Sequence, residues 1–79
     1  MTEAKQICEE MIEELVRART KHPKGFNSLH EGYAVLLEEI DELWEEIKTQ
    51  EKSYAKIRKE AIQSGAMVIR MIQDAIDGR

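Results

Sequence analysis

Apolar residues recur three and four positions apart in three separate stretches of this chain, and nowhere do they alternate with polar ones. Such spacing lays a stripe along one face of a helix and offers nothing to a sheet, so the expected fold class is all-α. Ala4, Ile7, Cys8, Met11, Ile12, Leu15 and Val16 make the first stripe, which predicts a helix over about residues 3–20 with Thr2 as its N-cap. The only proline and a nearby glycine, in Lys21-His22-Pro23-Lys24-Gly25-Phe26-Asn27, end that helix. Ser28-Leu29-His30-Glu31 has the spacing of a capping box, with Ser28 accepting from the Glu31 N–H and the Glu31 side chain reaching back. Tyr33, Leu36, Leu37, Ile40, Leu43, Trp44 and Ile47 carry the second helix until the pattern fades near Lys48. Ile57, Ala61, Ile62, Gly65, Ala66, Ile69, Ile72 and Ile76 predict a third over about residues 54–77, stopping at Gly78.

Seventy-nine residues form one domain, 1–79, and a chain this short buries only about 60% of the surface its unfolded form exposes. A metal ion or further copies of the chain are the usual supplements. The third helix asks for the second of these. Its main stripe lies on one side while Met67 and Met71 emerge on another, beside Glu60, Gln63 and Asp74, and a helix apolar on two sides is buried on two sides. Gly65 and Ala66 would admit a neighbouring backbone. The expectation is a helical hairpin of helices two and three within an oligomeric four-helix-bundle-like core, as a homodimer or a dimer of dimers.

Composition narrows the function classes. The single cysteine, Cys8, forms no intrachain disulfide and reads as a small core residue; with His22 and His30 the only histidines, a Cys/His zinc site is not expected. A net charge of −4 argues against binding to a nucleic acid backbone, which needs clustered Lys and Arg. No stretch approaches the length of a membrane span and no apolar leader opens the chain, so a soluble cytoplasmic protein is expected. Lys48, Lys52, Lys56, Arg58 and Lys59 concentrate positive charge. As a group they read as a solvated linker rather than a site for a small phosphorylated ligand; Lys56, Lys59 or Arg70 could meet phosphates but read more strongly as surface charges. Tyr33 and Trp44 fall on the core stripe.

Between Glu38 and Glu46 six of nine residues are acidic, with no basic residue among them. Like charges at i,i+4, as in Glu38/Glu42, each cost a helix about 0.2–0.5 kcal/mol, a cost that a bound cation relieves. Spacing brings Glu38, Glu39 and Glu42 into one neighbourhood, places Glu39 and Glu46 at the edge of the apolar stripe, and turns Glu45 away. Glu60 and Gln63 form a second pair of oxygen donors, which an antiparallel hairpin sets opposite the first. Oxygen-only ligands suit Mg²⁺ or Mn²⁺. A di-iron carboxylate site wants Glu-x-x-His pairs, and neither histidine stands three residues after a glutamate. A solvated helix face accounts for the acidic run equally well.

The order Glu38-Glu39-x-x-Glu42, followed after seventeen residues by Glu60-x-x-Gln63, resembles the MazG-like all-α nucleotide pyrophosphohydrolases, whose motif is EExxE followed by ExxD. The resemblance covers about residues 28–77, including Gly32-Tyr33-Ala34 and Lys59-Glu60. It implies a Mg²⁺-dependent enzyme that cleaves a nucleoside triphosphate to the monophosphate and pyrophosphate. It also implies Glu38, Glu39, Glu42 and Glu60 as metal-binding carboxylates, with Glu38 or Glu39 serving the attacking water. Gln63 departs from the family pattern: its carbonyl can coordinate a hard cation but brings no charge, which predicts weaker metal binding. The competing expectations are a MazG-like oligomer kept as a non-catalytic binding or regulatory module, and a plain structural bundle.

Overall fold

A computed structural model describes residues 1–78 as three α-helices and a closing π-helical segment. Helix α1 spans Ala4–Lys21, α2 Leu29–Ile47 and α3 Tyr54–Met71; Ile72–Ile76 forms the π turn. The described residues contain no strand, in keeping with the absence of alternation in the sequence. Among the described residues, no helix is long and apolar enough to cross a membrane.

The helix starts follow local chemistry. At α2, Ser28 accepts from the Glu31 N–H at 3.1 Å, as expected, but the Glu31 carboxylate accepts from the N–H of Asn27 at 3.0 Å, not from that of Ser28. Ser53 caps α3 in the same way, accepting from the Lys56 N–H at 3.3 Å. Thr2 caps nothing. The N-cap of α1 is Glu3, whose side chain makes no capping bond, and Thr2 stands one residue outside the position from which a hydroxyl reaches the first turn.

The third helix ends differently from the expectation. Instead of running on to a left-handed glycine cap, the chain widens after Met71, with the Asp77 N–H bonding to the Ile72 carbonyl at 2.8 Å, and no glycine has positive φ.

Helix α3 is the centre of the molecule. Both α1 and α2 pack on it, and the backbones of α1 and α2 stand apart: no Cα of one lies within 8 Å of a Cα of the other. Glu10 meets Arg58 and Arg19 meets Asp74, so α1 runs parallel to α3; the packing of Gly32 near Met71 makes α2 antiparallel. The core, Leu15, Ala66 and Met67, lies where the three helices converge, with Ala18, Phe26, Val35, Leu36 and Ile69 around it. Met67 is therefore buried by the chain itself, and Met71 is half-buried over Gly32 and Phe26. The second apolar side of α3 is met from within. Gly65 faces the Met11 side chain, not a foreign backbone: a Cβ there would stand 2.4 Å from Met11 Cε.

Several expected core positions lie at the surface. Cys8 is exposed, and so are Tyr33 at 60% and Trp44 at 55%. The reason is common to them: α1 packs only on α3, and α2 only on α3 and the π turn that follows it, so only the edge of each apolar stripe nearest them is covered.

Candidate metal and anion cleft

The gap between α1 and α2, floored by α3, is a cleft of about 600 Å³, within the range of small-molecule sites. Its α2 wall includes Glu31, Val35, Glu38 and Glu39; its floor is Gln63, Met67 and Arg70. The α1 wall carries Glu14, Arg17 and Lys21, which share one side of the helix through their i,i+3 and i,i+4 spacing.

At the edge of the cleft the hairpin brings together the carboxylates of Glu39, Glu42 and Glu60, with one oxygen of each within 4.8 Å of the others. The i,i+3 spacing on α2 aligns the first two, and the antiparallel course of α3 supplies the third. Glu39 and Glu60 are half-buried. One oxygen of each, Oε2, is buried without a hydrogen-bond partner, a condition that costs free energy and is rare in folded proteins. Burial pushes the Glu39 carboxyl up to about 7, with the charges of Glu42 and Glu60 adding to it. Glu60 is also raised, first by burial and then by Glu42, against a lowering from Lys59.

Glu38 lines the cleft outside this cluster and is exposed. Gln63 lies half-buried in the floor. Glu46 is half-buried and adds its charge against Glu60, whereas Glu45 is exposed and pairs with Lys48 at 2.9 Å. The acidic run is thus divided by depth: Glu39 is the member shared by cluster and cleft.

The expected phosphate-meeting cations are placed elsewhere. Lys56 and Lys59 are exposed on α3 and do not line the cleft. Arg70 does line it, but at 4% exposure it is a buried structural group, neither a surface charge nor a free anion ligand. Its Nη2 donates to the carbonyls of His22 and Lys24 at 2.8 and 2.7 Å, and its guanidinium lies over the Phe26 ring, 4.7 Å from the centroid. Asp74 completes this staple. Arg19 holds it at 2.9 and 3.3 Å, the Phe26 N–H donates to it at 3.2 Å, and Arg70 Nε stands 3.5 Å away. The Arg19 hydrogen bonds, together with that from Phe26, hold the Asp74 carboxyl below its ordinary range. Gly25 permits the close approach of the loop, since a Cβ there would meet Asp74 Oδ2 at 3.1 Å.

Lys21, with Lys24 from the loop, lines the cleft, and so does Arg17, whose Nε donates to Glu14 of the same helix at 2.8 Å. Their signal in the sequence is the one-turn spacing of Arg17 and Lys21 on the polar side of α1. Comparison with protein-family models, with curated proteins and with solved structures finds no match to this chain.

Proposed function

We propose that this chain is a Mg²⁺- or Mn²⁺-dependent nucleoside triphosphate pyrophosphohydrolase of the MazG-like type, weakened in metal affinity by Gln63. One observation carries the reading: three carboxylates from two helices converge, and two of their oxygens are buried with no partner. A half-buried cluster of like charge without a cation is held at a cost to the fold. Oxygen-rich, charged and open to the cleft through Glu39, the donor set fits a hard divalent cation.

In this reading Glu39, Glu42 and Glu60 hold the metal, and the Gln63 carbonyl supplies a neutral donor from the floor. The ion's chemistry is to neutralise charge on the phosphate oxygens as the phosphoanhydride is cleaved. Glu38, outside the cluster, orients the attacking water and accepts its proton. Lys21 and Lys24 line the same cleft as Glu38 and Glu39, with Arg17 beside them held by Glu14, so an extended anionic ligand reaching from the metal would meet these cations. Water adds to the α-phosphorus, the α–β anhydride bond breaks, and the monophosphate and pyrophosphate leave. The assembly proposed with it is a homodimer or a dimer of dimers. A second reading, a non-catalytic MazG-like binding module, draws on Gln63 alone, which removes a ligand charge.

Pyrophosphate release from a panel of standard and modified nucleoside triphosphates tests the proposal, with Mg²⁺, Mn²⁺ and EDTA arms. Metal-dependent turnover, lost in Glu39→Gln and Glu42→Gln, is the expected result. Metal-induced stabilisation without turnover selects the binding module. Neither stabilisation nor turnover at millimolar metal refutes both.

A further inference from the structure

The cations that line the cleft are not equally available. Among the described residues Lys21 and Lys24 have no carboxylate partner. Arg17 is engaged: its Nε and Nη2 both donate to Oε2 of Glu14, one turn back on α1, at 2.8 and 2.5 Å. The two partners differ in depth. The Glu14 side chain is 19% exposed and that of Arg17 64%, so the carboxylate is sunk in the cleft wall while the guanidinium meets it from the solvent side. The other oxygen of Glu14, Oε1, accepts no hydrogen bond among the described residues.

The charge of Glu14 reaches the carboxylate cluster although it stands on a different helix. After burial and the charges of Glu42 and Glu60, it adds to the push that raises the Glu39 carboxyl. A single ion pair thus connects the α1 wall, where an anion would lie, with the carboxylates of α2 and α3.

We infer that Arg17 is a phosphate-binding residue which Glu14 holds in reserve, and that it exchanges Glu14 for the ligand's phosphate once a cation occupies the carboxylate cluster. Such an exchange rests on the metal site proposed above and adds a control to it: full anion binding waits on the metal. Energetics favour an exchange over a fixed contact. An i,i+3 helical ion pair with one partner largely in water contributes little to stability, whereas the planar fork of arginine grips a phosphate through two parallel charge-assisted bonds. Without a cation, Arg17 offsets the repulsion between Glu14 and the cluster. A divalent ion on Glu39, Glu42 and Glu60 supplies positive charge to the same neighbourhood, and Arg17 is then released toward Lys21, the next cation along that side of α1. Because its guanidinium is already mostly in solvent, the turn leaves the packing of Leu15 and Ala18 intact. By reciprocity, the anion returns to the metal the same gain in affinity.

Pyrophosphate, a product of the proposed reaction, is the probe. Its binding is measured by equilibrium dialysis in EDTA and in Mg²⁺ on wild type, Arg17→Gln, Glu14→Gln and the double variant, with circular dichroism confirming that each is folded. In Mg²⁺, Arg17→Gln weakens pyrophosphate binding about tenfold. In EDTA it has no effect, since Arg17 is then occupied by Glu14. Glu14→Gln tightens binding in EDTA about tenfold, and the double variant loses that gain. A gain that persists in the double variant comes from removing a negative charge alone and overturns the inference. Equal weakening by Arg17→Gln with and without metal overturns it too, because Arg17 is then never held in reserve; so does the absence of any effect, which marks a purely structural pair. Failure here is separable from failure of the catalytic reading. The full pattern without triphosphate turnover keeps the exchange and removes the hydrolase, whereas metal-induced stabilisation with no pyrophosphate binding removes the exchange and keeps the metal site.

Discussion

Removing the charge of Glu39 tests whether the cluster costs the fold what its geometry implies. The carboxyl titrates near 7 in the folded chain against an ordinary 4.5, so between those values the folded state binds more protons than the unfolded one. Stability then falls as pH rises through that window. The full difference corresponds to ~3.4 kcal/mol; because Glu39 is only half-buried, solvent screening reduces it to about 1–2 kcal/mol. For a domain of this size that is a loss of about 4–16 °C in Tm between pH 5 and pH 7.5. Thermal unfolding by circular dichroism in EDTA, on the wild type and on Glu39→Gln, isolates the effect, since other groups titrate in both. The variant loses the pH-dependent fall and is the more stable of the two at pH 7.5. Parallel pH profiles for the two proteins would refute the reasoning, because the cluster would then be paying no electrostatic cost.

Added Mg²⁺ or Mn²⁺ raises Tm at pH 7.5, by the equivalent of ~2.7 kcal/mol at a hundredfold excess over Kd, and Glu42→Gln abolishes the rise; calorimetric titration checks the stoichiometry. Gln63→Asp restores a ligand charge and tightens metal binding about tenfold, read by the same titration; unchanged affinity would remove Gln63 from the site. Arg70→Ala loses two charge-assisted bonds to loop carbonyls together with the packing of a buried side chain, so unfolding by urea shows a loss of about 2–4 kcal/mol. Limited proteolysis then cuts first between Lys21 and Ser28. The same substitution leaves metal affinity nearly unchanged if the staple and the cluster are independent.

The elements were legible because each depends on local order: apolar spacing set the helices, Pro23 and Gly25 the first break, and Ser28 the start of α2. The convergence of Glu39, Glu42 and Glu60 was legible too, because i,i+3 spacing and an antiparallel hairpin determine it together. Burial was not. Whether Tyr33 and Trp44 are core depends on how many neighbours α2 has, and within one chain it has only α3 and the π turn that follows it. Arg70 was misread for a different reason: what draws it inside is a pair of backbone carbonyls, and those carry no residue signature. The π turn lies beyond periodicity altogether, since the apolar spacing of Ile69, Ile72 and Ile76 suits a regular helix equally well.

At His22 and Lys24 the Arg70 staple grips the loop between α1 and α2 by the main chain alone. The side chains at both positions therefore owe nothing to the clamp, although both line the rim of the cleft. Substitution there can change which ligands the rim admits without loosening the joint that holds the helices apart. Selection can thus retune preference at those two positions while drawing on none of the fold's small margin of stability.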